Sequence, residues 1–154
     1  MRLVVDASVA TEACLGGGLG PLIGHELLGP PLLLSESVSV IRELTWRGTI
    51  PREHERASLE RLLALPIRIL VPDDHLLRAA QIAQSLGWAK TYDAEYVALA
   101  MATEASVVSL DERLRRGAGH IVQILGPADI PAARAIDLDS ALDEPRRERD
   151  DDPR

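Results

Sequence analysis

An α/β fold with a mostly parallel central sheet, covered by helices on both faces, is predicted by three observations. Short apolar runs alternate along the chain with segments of helical periodicity. The runs are apolar throughout instead of at every second residue, as strands buried on both faces require. The 154 residues are 46% apolar with no Phe, which suits one domain whose core is filled by Leu, Val, Ile and Ala.

The elements follow in order. Arg2 to Val5 is an apolar run ending at Asp6 and reads as the first strand. A helix from Ser8 to Leu15 is stopped by Gly16-Gly17-Gly18, and a short helix around Leu22 to Leu28 precedes Pro30-Pro31. Leu32 to Leu34 is expected as the second strand. It leads into a helix capped by Ser35, with Val38, Ile41 and Leu44 or Thr45 on its inner face, that ends at Gly48. Pro51 opens a helix at a position where a missing N–H costs nothing, and Leu59, Leu62 and Leu63 give it a buried stripe. Ile67 to Val71, between Pro66 and Pro72, is the third strand.

From Asp73 to Leu86 the spacing predicts an amphipathic helix that buries Leu76, Leu77, Ala80 and Ala83 and ends at Gly87. Thr91 caps a further helix with Tyr92, Tyr96, Leu99, Ala100 and Thr103 near one face. Strand Ser106 to Ser109, helix Asp111 to Arg116 and strand Ile121 to Leu125 complete a domain over residues 1–130. Residues 131–154 are expected to form an acidic, disordered tail, since the last eighteen lack apolar periodicity.

Charge narrows the function classes. The formal net charge is -7; residues 137–154 hold eight acids and four Arg, leaving 16 acids and 13 bases for residues 1–136. This is no generally basic nucleic-acid coat, so phosphate binding has to rely on a metal and a local Arg cluster. Arg42, Arg47, Arg52, Arg56 and Arg61, with Arg113, Arg115 and Arg116 opposite, are candidates for bordering a groove, against the plainer reading of a solvated helix surface. Cys14 is the single cysteine, which excludes an intramolecular disulfide and a thiolate cluster and reads as a buried apolar side chain. The chain opens on a strand pattern, not a basic leader, and no segment is long enough to span a membrane, so a cytoplasmic protein without membrane attachment is expected.

Four carboxylates stand where strands end or helices begin: Asp6, Glu36, Asp93 and Asp111. Each has an ordinary explanation. Acids at helix N-termini offset the dipole, and Ser109-x-x-Glu112 is a capping-box pattern that puts Asp111 in a first helical turn. Asp6 and Asp111, however, follow strands at the edge where open parallel sheets place ligands. Two carboxylates about 4 Å apart repel by roughly 4 kcal/mol at an effective dielectric of 20, an upper-end figure, and a divalent ion removes the conflict. With all-oxygen donors and no paired His or Cys, Mg²⁺ or Mn²⁺ fits better than Zn²⁺.

VVDASV, the segment from Glu36 to Gly48, TYDAEYVALA and SLDERL resemble in type, order and spacing the PIN-domain nucleases, particularly the VapC-like toxins of bacterial toxin–antitoxin pairs. The resemblance covers residues 2–125, and TYDAEYVALA is its most specific part. It implies a three-layer α/β/α fold with strand one central, beside the strand preceding Asp111. It also implies a metal-dependent endoribonuclease, Mg²⁺ as cofactor with Mn²⁺ as substitute, RNA as substrate, a cognate antitoxin and a homodimer. Asp6 and Asp93 would bind the metal, Asp111 would complete the shell directly or through water, and Glu36 would position or deprotonate the attacking water. Ser8 and Ser109 would occupy the hydroxyl positions flanking the first and last acids.

Glu43, seven residues after Glu36 on the same helix, competes with it; the resemblance favours Glu36, which precedes Gly48 by about one helix. Glu95 and Glu112 are candidates for supporting acids beside the plainer reading as surface positions. Trp46 and Trp88 read as packing or interface residues. A catalytically inactive PIN-like module that binds RNA or protein is the alternative function, and the presence of all four acids argues against it. A phosphoryl-transfer receiver also places an Asp after its first strand, but VVDAS lacks a second acid beside Asp6.

Overall fold

The structure, a computed structural model, describes residues 1–131. The expected acidic tail therefore lies, apart from Pro131, outside the described residues. Five strands form one sheet in the order β3-β2-β1-β4-β5: β1 Arg2–Val5, β2 Glu26–Gly29, β3 Ile67–Ile69, β4 Ser106–Val108 and β5 Ile124–Leu125. Every pair is parallel, with Leu3 opposite both Leu27 and Ser106, and Val4 opposite Leu28 and Val107. Among the described residues six α-helices accompany the sheet: α1 Ala7–Glu12, α2 Leu32–Trp46, α3 Arg52–Ala64, α4 His75–Ser85, α5 Tyr92–Thr103 and α6 Glu112–Ala118.

The layers follow from the order of connections. The chain moves outward from β1 through β2 to β3, then returns past β1 to β4 and β5. With right-handed crossovers the two directions put α1, α2 and α3 on one face and α4, α5 and α6 on the other. Helix α2 packs against α1 and α3, and α5 against α4, β1 and β4. Leu3, Val4, Val5, Leu28, Val107 and Val108 are fully buried between these layers, which is why their runs carry no polar alternation. Helix α5 is buried all round from Ala94 to Ala100, as expected of a helix enclosed by neighbours.

The second strand lies earlier than expected. Leu22–Leu28 is not a helix: after a short turn at Gly20–Leu22 the chain becomes β2, and Leu32–Leu34 is the first turn of α2. Ser35 therefore lies inside α2, and Pro31 takes its N-cap. Both apolar runs are too short for periodicity to separate strand from helix. Gly29 ends β2 where an added Cβ would meet Leu33 Cδ2 at 2.6 Å, so this strand-to-helix corner has little room.

Helix α4 also turns differently from its predicted stripe. His75, Ala79 and Ala83 face inward at i, i+4 and i+8, whereas Leu76 and Leu77 are each 65% exposed and Ala80 is exposed. A shift of one position rotates a helical side chain by about 100°. In α3, Leu62 is buried but Leu63 is 71% exposed, and in α2 Val38 is exposed while Ile41 and Thr45 are buried. The last strand is shorter than predicted because the Ile121 amide bonds to the Ala118 carbonyl, closing a turn after α6.

Candidate active site

The sheet reverses its order of connection between β1 and β4, and the crevice beyond their carboxyl ends is where such sheets bind ligands. Asp6 is the first residue past β1. Its amide donates to the Val108 carbonyl at 3.1 Å, and its extended backbone makes it the N-cap of α1. Oδ1 accepts from the Ser8 amide at 2.9 Å, the Val9 amide at 3.2 Å and the Ser8 hydroxyl at 2.5 Å. Oδ2 accepts from the Ser109 hydroxyl at the end of β4. The two serines also tie the strand ends together, since Ser8 Oγ accepts the Leu110 amide at 3.0 Å and Ser109 Oγ the Asp111 amide at 2.9 Å. Asp6 is 6% exposed, and burial pushes its carboxyl above the ordinary range although four hydrogen bonds pull it back.

Asp111 is the N-cap of α6, with Oδ1 accepting the Arg113 amide at 2.7 Å. The capping-box pattern is thereby corrected: Ser109 does not cap this helix, because its oxygen accepts the amide of Asp111, the cap residue itself, and Glu112 pairs with Arg115 on the surface. Asp93 stands in the first turn of α5. Glu36, the fifth residue of α2, accepts the Tyr96 hydroxyl on Oε2 at 2.8 Å. Glu43 lies elsewhere, exposed and paired with Arg47.

Glu36 and Asp93 each feel the charges of neighbouring acids. Glu36 is raised first by burial, with the Tyr96 bond opposing and the charges of Asp93, Asp6 and Glu95 adding to the rise. Asp93 is raised by burial, then by Asp111 and Asp6. Burial and Glu36 likewise push up the Tyr96 hydroxyl, which stays protonated and donates. None of the four acids belongs to an ion pair among the described residues.

Such a set of hard oxygen donors, with Asp6 buried, Glu36 half-buried, Asp93 and Asp111 exposed and none carrying a counter-charge, fits a divalent cation. As the side chains stand, no three His, Cys, Asp or Glu among the described residues are grouped closely enough to hold an ion. Mg²⁺ commonly keeps several waters and needs only one or two carboxylates, so the donor set remains suitable without a closed cage.

The Arg candidates divide. Arg42, Arg47 and Arg56 are paired with Glu55, Glu43 and Glu60, Arg115 with Glu112 and Asp129, and Arg61 donates to the Cys14 carbonyl at 2.9 Å. Arg113 instead lines a groove of about 490 Å³ with Glu36, Gly87, Trp88, Ala89, Lys90, Tyr92 and Asp93. Tyr96 was missed as a site residue by sequence reasoning. It lies three residues after Asp93 on α5, and that helical spacing was the signal for a shared face. Glu95 is buried beside His75, 3.6 Å from its Nε2, and Cys14 is buried with its thiol donating to the Ala10 carbonyl.

The family model that matches residues 3–119 is the PIN domain, a family of nucleases that generally use divalent metals. No curated protein matches the chain. Among solved structures, PAE2754 from Pyrobaculum aerophilum is similar with a TM-score of 0.65 and 17% identity, covering 83% of this chain and 93% of that one. VapBC2 from Rickettsia felis, bound to a DNA fragment from their promoter, matches with a TM-score of 0.60 and 12% identity over 82% of this chain and 98% of that one. VapBC-1 from nontypeable Haemophilus influenzae gives 0.59 and 14% over 83% and 99%. At these identities the structures speak for the fold, while the family match spans most of the sequence and includes Asp6, Glu36, Asp93 and Asp111: the chain belongs to the PIN domain family.

Proposed function

We propose that the chain is a metal-dependent endoribonuclease, the toxin of a toxin–antitoxin pair, which hydrolyses RNA phosphodiester bonds. The observation that carries this reading is a set of four acids without basic partners at the carboxyl edge of the sheet, about its switch point. Asp6, Glu36 and Asp93 are all disfavoured as anions, and none has a basic partner among the described residues. Asp6, Asp93 and Asp111 would hold Mg²⁺, or Mn²⁺ in its place. When bound, the ion lowers the pKa of a water and stabilises the leaving oxygen.

The remaining roles fall to the chain itself. Ser8 and Ser109 hold Asp6 in one orientation from either side. Tyr96 fixes Glu36 through Oε2, which leaves Oε1 to accept a proton from the attacking water. Its raised proton affinity makes Glu36 a better base than a solvent-exposed Glu. The VapBC fold neighbours support a cognate antitoxin, and a homodimer in the cytoplasm completes the proposal.

Purified protein is expected to cut RNA in Mg²⁺ or Mn²⁺, and Asp6→Ala or Asp93→Ala to abolish cutting; equal cleavage in EDTA overturns the mechanism. One observation favours a second reading, a PIN-like binding module without hydrolysis: the acids do not stand as a ready ligand group. Calorimetry separates the two, because only the nuclease reading requires Mg²⁺ binding that disappears in Asp93→Asn.

A further inference from the structure

We propose that the groove beside Glu36 and Asp93 is a subsite for one unpaired nucleotide next to the bond being cut, with Tyr92 stacking on its base and Lys90 and Arg113 holding the flanking phosphates. The inference rests on the nuclease reading above. The acids occupy one part of the groove, while Trp88, Lys90, Tyr92 and Arg113 line the rest of its roughly 490 Å³. That volume is in the range of small-ligand sites.

Aromatic placement is the first argument. The chain has two Trp, two Tyr and no Phe, and Trp88, Tyr92 and Tyr96 all stand at this site. Tyr96 is buried and engaged with Glu36, but Tyr92 is 51% exposed immediately before Asp93. Exposed aromatic rings in a groove lined with cations grip single strands, because an unpaired base offers a face to stack that a base inside a duplex does not. Lys90 Nζ lies 5.8 Å from the Tyr92 ring centroid.

The charges supply the second argument. Lys90 and Arg113 take no part in the ion pairs among the described residues, although they share a groove with two carboxylates. Cations beside an acidic metal site suit a chain of phosphates that has to pass over both. The third argument is rigidity. Trp88 packs on Gly117 of α6 so closely that an added Cβ would lie 2.9 Å from its ring, which joins the α4–α5 connection to α6 as a fixed wall. A wall of this kind lowers the ordering cost of binding.

Anisotropy of labelled oligonucleotides in EDTA tests the subsite, with cleavage in Mg²⁺ measured in parallel. Single-stranded RNA is expected to bind better than the duplex of the same sequence; single-stranded DNA binding equally reports recognition of base and phosphate, and weaker DNA binding reports added recognition of the ribose. Tyr92→Ala should weaken binding roughly tenfold or more, the loss of one base stack, and Tyr92→Phe should restore it. Lys90→Ala and Arg113→Ala should each reduce the salt dependence by about one phosphate contact.

The proposal is overturned if the single strand binds no better than the duplex, or if Tyr92→Ala binds and cuts like the native protein. Its failure is distinct from failure of the nuclease reading. RNA cutting with kcat/KM unchanged in Tyr92→Ala sinks the subsite alone, whereas Tyr92-dependent binding without cutting in Mg²⁺ sinks hydrolysis alone.

Discussion

Glu36 shows how one residue can be useful to a site and harmful to the fold. In its ionised form it is half-buried near Asp6 and Asp93, and only the Tyr96 hydroxyl compensates it directly. Its folded pKa lies above the unfolded value, so the folded chain binds more protons and stability falls as pH rises between the two values. Asp6 and Asp93 shift in the same direction and add to the slope. The stabilising effect of protonation is fully present below the ordinary carboxylate range and is lost as pH rises through the folded values. Glu36→Gln, which can still accept the Tyr96 hydroxyl, should therefore have the higher Tm at pH 7 in metal-free buffer. The gap should close as pH falls toward about 4. Thermal melts across pH check this, and a gap that does not change with pH rules the account out.

At the scale of elements, Gly117 carries a sharp expectation. Glycine within a helix costs up to about 1 kcal/mol relative to Ala, and here, next to last in α6, it admits the Trp88 ring. Gly117→Val would force the indole away and should destabilise the protein by about 1–3 kcal/mol. Urea melts measure the loss, and a Trp46→Phe background isolates the Trp88 fluorescence, which should shift to the red. Unchanged stability and emission would show that α6 does not depend on this contact.

The same scale shows what the sequence made legible. The end of β1 could be read because its apolar run stops abruptly at Asp6, and β4 was placed to within one residue, ending at Val108 and not at Ser109. The second strand could not, because Leu22–Leu28 and Leu32–Leu34 are similar short Leu-rich runs and Pro30-Pro31 marks a strand-to-helix corner as readily as a loop. The stripe of α4 failed because Leu76 and Leu77 outrank Ala79 in hydrophobicity, yet the small Ala79 and Ala83 allow close approach to Ala94 and Ala98 of α5. All four acids stood out by their expected positions at element ends, although Glu36 proves to lie inside α2, and the family resemblance was needed to distinguish it from Glu43. The Tyr96–Glu36 bond and the meeting of Lys90 and Tyr92 with Arg113 join segments distant in sequence; helical spacing puts Tyr96 on the face of Asp93 but does not name its partner across the sheet.

Across the whole molecule, five parallel strands hold the acids in place and also confine their repulsion. The connection order brings α1, α2, α5 and α6 to one edge of the sheet, each carrying or preceded by one of the four carboxylates. The net charge of the chain is -7, so its overall field does not relieve that cluster. A bound divalent ion would, and whatever binds the folded state alone stabilises it by mass action. At a free concentration of about a hundred times Kd the gain is roughly 2.7 kcal/mol. For a domain of this size that corresponds to a rise in Tm of about 5–10 °C. Scanning calorimetry in Mg²⁺ or Mn²⁺, against NaCl at equal ionic strength, should show this rise in native protein and lose most of it in Asp93→Asn. The Asn variant should itself melt higher than native protein without metal, since one source of repulsion is gone. A rise of equal size in both proteins would place the ion away from these acids, and no rise in either would favour the binding-module reading.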